Sequence, residues 1–262
     1  MDALRRPRIG WCGPIQNALN LKIAGLDYIE AQLVPMRLEN DSSYAEAKAR
    51  VTDSPLPIEA MSYLFPHEFR LFGEGSDETR NRKYFDKVVT LLDLAQAQVV
   101  VLGSGWTRNI PKGWSLEQTE QAFLETLQWC ADALNGSCSS LVIEPLNRKE
   151  SNLINNVNDA VRLVKTLNHP KISGLADFYH MDEEREPLET IKTNGPWLGH
   201  IHLADTHRLN PGTGSYDYST FFRYLKAINY SGKLSAECGI QGDPIDAMRF
   251  SLDFLNNVWT HA

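Results

Sequence analysis

Glu144 follows the short apolar run Leu141, Val142, Ile143 and is itself followed by Pro145 and the polar residues Asn147, Arg148 and Glu150. A run of this kind reads as a fully buried strand, and Pro145 cannot extend a central ladder. A carboxylate left unpaired at such a strand end costs on the order of several kcal/mol, so Glu144 needs either an internal cation such as Arg148 or a metal ion. The pattern recurs downstream: Asp177 closes one apolar run, His202 sits in the next, and Glu237 ends the last. Four hard ligands on four consecutive predicted strands, without a matching set of Lys or Arg, point to one shared cation. Three carboxylates and an imidazole favour Mn²⁺, Mg²⁺ or Co²⁺ over Zn²⁺, which in catalytic sites takes mostly nitrogen or sulfur ligands. Four side chains on a six-coordinate ion leave room for two substrate oxygens or water.

Glu144 and Glu237 come from strands that are not neighbours, so they approach a chelated ligand from different sides. A carbonyl on the cation acidifies the adjacent C–H by stabilising an enediolate. One glutamate can remove that proton and the other return one to the opposite face, which inverts the carbon beside the carbonyl. An aldose–ketose hydrogen shift needs only one base on one face. A lyase that expels a β-hydroxyl begins with the same proton abstraction.

The elements that must position these groups follow a regular alternation. Strands are predicted at 8–13, 27–33, 58–64, 99–105, 141–143, 172–178, 199–205 and 233–239. Helices are predicted at 15–24, 43–51, 79–95, 116–134, 157–167, 183–192, 218–228 and 244–258. Eight such units in 262 residues predict an α/β fold, a (β/α)8 TIM barrel forming one domain over 1–262. A doubly wound open sheet is the alternative, weakened because no Gly-x-Gly-x-x-Gly follows the first strand. In a barrel, catalytic groups sit at the carboxyl ends of the strands, where the four ligands fall.

Lys and Arg number 26 against 33 Asp and Glu, a formal charge of −7. An acidic chain repels phosphate backbones, which argues against nucleic acid as a partner. No apolar segment follows the N-terminal basic residues, and no run approaches a membrane span. The four scattered cysteines, Cys12, Cys130, Cys138 and Cys238, read as reduced thiols. The expectation is a soluble, cytoplasmic protein with a small-molecule substrate.

The motifs Glu144-Pro-Leu-Asn-Arg-Lys-Glu150, Asp177-x-x-His180, His202-x5-Arg208 with Pro211-Gly-Thr-Gly214, and Glu237 resemble the xylose isomerase-like TIM-barrel family, in particular its ketose 3-epimerase branch. The resemblance implies that Glu144, Asp177, His202 and Glu237 bind the metal, Mn²⁺ first. It implies that Glu144 and Glu237 are the acid/base pair acting at C3, and that Glu150, His180 and Arg208 hold substrate oxygens. It also implies a homodimer or homotetramer. The loop after the fourth strand departs from the free-ketose pattern; there Trp106 and Arg108 are assigned to substrate, Arg108 to an anionic or larger one. Trp11, Glu30, Phe65 and His67 are expected to wall the pocket, His200 to be a satisfied core histidine, and Asp205 and His207 to stand behind the ligands. The function expected is a metal-dependent sugar epimerase or isomerase. A dehydratase of a keto-sugar or inosose is the alternative, ahead of an abasic-site endonuclease and a non-catalytic sugar-binding protein.

Overall fold

The computed structural model describes residues 6–262; the stretch read above for a leader falls partly outside them. Eight parallel strands, β1 (Arg8–Gly13), β2 (Tyr28–Gln32), β3 (Ile58–Ser62), β4 (Val99–Leu102), β5 (Ser140–Ile143), β6 (Ile172–Asp177), β7 (Leu198–Leu203) and β8 (Lys233–Ala236), pair in chain order. Parallel pairing of Ile9 with Leu234 joins β1 to β8 and closes the barrel. The surrounding helices are α1 (Ala18–Ala24), α2 (Asp41–Thr52), α3 (Glu78–Ala95), α4 (Gly105–Arg108), α5 (Leu116–Ala133), α6 (Val157–Leu167), α7 (Phe178–Glu183), α8 (Glu189–Asn194), α9 (Tyr218–Ala227) and α10 (Pro244–His261). No helix among the described residues is long and apolar enough to cross a membrane.

Side chains alternate across each strand, so the barrel has two cores. Tyr28, Ala60, Val99, Val101, Val142 and Leu175 form a small inner cluster, separate from the larger shell between strands and helices. The Tyr28 ring lies so close to Gly10 that a Cβ there would sit 2.3 Å from it. Its hydroxyl donates to the Leu234 carbonyl at 2.8 Å, which ties β2 to β8 across the interior. In the shell, α6 shows how helices are specified: Val157, Ala160, Val161 and Val164 make a buried face at helical spacing, and the Asn156 side chain caps the Asp159 amide.

The predicted helix at 183–192 is not formed as one element. The Asp177 carboxylate accepts from the Tyr179 and His180 amides and starts α7 earlier. Pro187, together with Arg185 at φ 53°, then separates α7 from α8. The loop expected after the fourth strand contains the single turn α4, which carries Trp106 and Arg108. All four cysteines are free, with Cys12 and Cys130 buried.

Candidate metal centre and active site

β5, β6, β7 and β8 are adjacent, and each delivers one group to the same end of the barrel. Ligand atoms of Glu144, Asp177, His202 and Glu237 all lie within 4.8 Å of one another. His202 is the hub: its Nδ1 is 2.9 Å from Glu144 Oε1, 3.6 Å from Glu237 Oε2 and 3.7 Å from Asp177 Oδ2. Gly103 makes this approach sterically feasible, because a Cβ there would stand 2.0 Å from Glu144 Oε2. Arg148 does not compensate Glu144; its guanidinium pairs with Glu184 on the surface.

Asp177 divides its oxygens. Oδ1 caps α7, while Oδ2 is buried, faces the cluster and has no hydrogen-bond partner. A buried acceptor without a donor costs about 1–3 kcal/mol, more when charged. Burial raises the Glu144 pKa and Glu237 adds to the rise, with His202 opposing. Burial also works against charge on Asp177 and Glu237, but His180, His202 and Arg208 outweigh it at Asp177, and His202 and Arg208 do so at Glu237. Both are held below the usual carboxylate range. Burial likewise opposes the His202 imidazolium, yet Glu30, Glu144 and Asp177 hold its pKa well above the ordinary value. Three convergent carboxylates, one imidazole and an orphaned oxygen fit a hard divalent cation.

Above the cluster, Arg208 donates from Nη2 to Glu237 Oε2 at 2.8 Å and from Nη1 to Glu150 Oε1 at 3.2 Å, and lies 4.8 Å over the Tyr179 ring. His207 and Arg208 both have left-handed backbones, φ 63° and 57°, a costly conformation that persists only where the surroundings impose it. Asp205 imposes it by accepting from the Thr206, Gly212 and Tyr216 amides, and Gly239 N donates to the Arg208 carbonyl. Asp205 thus shapes the loop rather than backing a ligand. His180 Nδ1 accepts from the Asn147 amide at 3.1 Å, which places its proton on Nε2. That N–H is buried without a partner, as is Trp106 Nε1. The cleft, about 400 Å³ counted out to its open mouth, is lined by Tyr63, Trp106, Glu144, Leu146, Glu150, Arg208 and Glu237 among others.

Arg108 corrects the sequence expectation. It is fully buried, and its guanidinium donates to the carbonyls of Leu153 at 2.7 Å and Glu144 at 2.6 Å. Burial pushes its pKa down to about 10, with Glu144 opposing. It ties α4 to the carboxyl end of β5 and does not face the cleft, because α4 turns its side chain inward while Trp106 points out. Arg108→Met should therefore destabilise the fold by roughly 3 kcal/mol, as two buried carbonyls lose their donors. Denaturant unfolding checks this, and a raised KM at unchanged stability would restore the substrate role.

The expected pocket wall also changes. Trp11 and Phe65 are core residues, and Glu30 is sealed inside the barrel between His200 and His202. His67 stacks on Trp106 with ring centroids 5.3 Å apart. His200 bonds Glu30 through Nε2, while its Nδ1 has no partner. Tyr63, at φ 52°, lines the cleft and was missed; its place just past β3 was the available signal.

The sequence pattern of the xylose isomerase-like TIM barrel matches residues 19–258. A 3-dehydro-D-guloside 4-epimerase of Escherichia coli is 30% identical over 222 residues, 80% of this chain and 83% of that protein. A D-psicose 3-epimerase of Agrobacterium fabrum is 25% identical over 229 residues, 81% of this chain and 75% of that protein. The apo crystal structure of the Escherichia coli 3-keto-D-glucoside 4-epimerase shares the fold, with a TM-score of 0.81 at 24% identity over 96% of this chain and 100% of that one. A closed eight-stranded barrel with this extent of similarity leaves one assignment: the chain belongs to the xylose isomerase-like TIM-barrel family.

Proposed function

We propose that this protein is a divalent-metal-dependent epimerase that inverts the carbon beside the carbonyl of a ketose or keto-glycoside. The observation that carries the reading is the convergence of Glu144 and Glu237, from non-adjacent strands, on His202 Nδ1 at 2.9 and 3.6 Å, beneath an open cleft lined by Tyr63, Trp106, Glu150 and Arg208. The relatives named above support it, since in each name the inverted carbon adjoins a carbonyl: C3 beside the C2 ketone of psicose, and C4 beside a 3-keto group.

Glu144, Asp177, His202 and Glu237 would hold the cation, with Mn²⁺ preferred. When bound, it supplies a Lewis acid that stabilises negative charge on the substrate oxygens. Glu144 and Glu237 would exchange protons with the carbon beside the carbonyl, one on each face. Arg208 steadies Glu237 and offers a cationic donor to substrate oxygens, while Glu150 accepts from hydroxyls. The Nε2–H of His180 and Nε1–H of Trp106 are donors that sugar oxygens would satisfy.

The test is to incubate the Mn²⁺-loaded protein with ketoses and 3-keto-glycosides and to identify products by NMR. An epimer at the carbon beside the carbonyl is expected. A product that has lost water would replace this reading by a dehydratase, and nicking of abasic DNA would replace it by an endonuclease.

Arg208→Ala separates substrate grip from metal binding. Losing a charge-assisted hydrogen bond, about 1.5–3 kcal/mol, should raise KM at least tenfold, with Mn²⁺ affinity within about twofold of wild type. Loss of the metal in that variant would show the role to be misassigned.

A further inference from the structure

Glu30 is a fully buried carboxylate on β2, three strands round the barrel from β7, yet both of its oxygens reach that strand. Oε1 is 2.9 Å from His202 Nε2 and Oε2 is 2.8 Å from His200 Nε2. A carboxylate at such distances only accepts, so both imidazoles carry a proton on Nε2. In the neutral His202 ring this leaves Nδ1, the nitrogen that faces Glu144, Asp177 and Glu237, to present a lone pair to a cation, which would take the place of the Nδ1 proton that the metal-free ring directs at Glu144. Without Glu30 the neutral ring has an attractive alternative: a proton on Nδ1 donated to Glu144 at 2.9 Å, with Nε2 bare. That tautomer cannot ligate through Nδ1. The His200 ring, edge-on to His202 at 5.2 Å, packs against it and restrains its rotation.

We infer that Glu30 is a positioning residue, braced by His200, that fixes the His202 tautomer and thereby sets the cation affinity of the site. The inference rests on the reading that Glu144, Asp177, His202 and Glu237 hold the cation. Glu30, His200 and His202 also cluster closely enough to suggest a second ion. However, both Nε2 atoms address one carboxylate at hydrogen-bond distance, so these three act as a hydrogen-bonded clamp. Partners of this kind typically change metal affinity by about 10–100-fold when removed.

The test uses the full chain stripped of metal and titrated with Mn²⁺, free ion being followed by electron paramagnetic resonance. Wild type should take up one ion per chain. Glu30→Gln and Glu30→Leu should each bind about 10–100-fold more weakly, and the near-isosteric Gln variant decides the matter if the Leu variant does not fold. In ¹⁵N-histidine-labelled, Mg²⁺-loaded wild type, Nε2 of both His200 and His202 should show a directly bonded proton. A folded Glu30→Gln variant with Mn²⁺ affinity within about twofold of wild type would overturn the inference, as would a bare His202 Nε2 or two tight ions per chain. Failure of wild type to bind any Mn²⁺ would bring down the underlying cation site instead.

Discussion

Glu144→Gln and Glu237→Gln are each expected to lower epimerisation by about 10²–10⁴-fold, the usual contribution of a positioned acid or base. Glutamine keeps the shape of the side chain and one oxygen for the cation but cannot accept or return a proton. Both variants weaken the metal site, so rates must be compared at saturating Mn²⁺ with occupancy measured. In D₂O the wild-type product should carry deuterium at the inverted carbon, since the returning proton comes from a carboxylate in exchange with solvent. One variant should still wash out substrate hydrogen on the face its remaining glutamate serves, without inversion. If only one glutamate proved essential, a one-base hydrogen shift would be the better mechanism. A wild-type epimer free of solvent deuterium would exclude the two-glutamate route.

Exhaustive chelation should abolish activity and lower the melting temperature by roughly 5–10 °C. A cation present at about 100 times its Kd contributes about 2.7 kcal/mol to the folded state, and in domains near this size each kcal/mol moves Tm by about 2–4 °C. The structural basis is the crowding of Glu144, Asp177 and Glu237 around one imidazole, with Asp177 Oδ2 lacking any donor. Mn²⁺ should restore both properties. Asp177→Asn should reproduce the loss at ordinary metal concentrations, because the amide cannot supply the charge. Melting and activity that ignore chelation would require the four-ligand site to be abandoned.

The barrel was legible because its signal is repetitive: eight short apolar runs, each followed by a helical face, and a carboxylate or imidazole at or near the end of each of β5 to β8. Asp177, His202 and Glu237 stood out because polar groups ending buried strands are expensive. What could not be read was direction within loops. Arg108 and Trp106 lie two residues apart, and only the turn of α4 decides that one points into the protein and the other into the cleft. Glu30 looked like a pocket residue from its strand position, because a sequence does not show that β2 and β7 face each other across the barrel. The helix expected at 183–192 is broken by Pro187, a signal the sequence carries, whereas the early start of α7 depends on Asp177 acting as a cap, a second use of a side chain also proposed for the metal.

The four proposed ligands all belong to the second half of the barrel, whereas Tyr63, His67 and Trp106 stand beyond β3 and β4. On the proposed reading the first half supplies part of the substrate wall and none of the proton-transfer pair. A directed-evolution library confined to Tyr63, His67 and Trp106 should alter which sugar enters while the proton-transfer pair stays intact. Two first-half positions have to be left out of such a library. Gly103 gives Glu144 its room, and Glu30 reaches through the interior to His202; changing either would corrupt the chemistry while seeming to touch only the substrate wall.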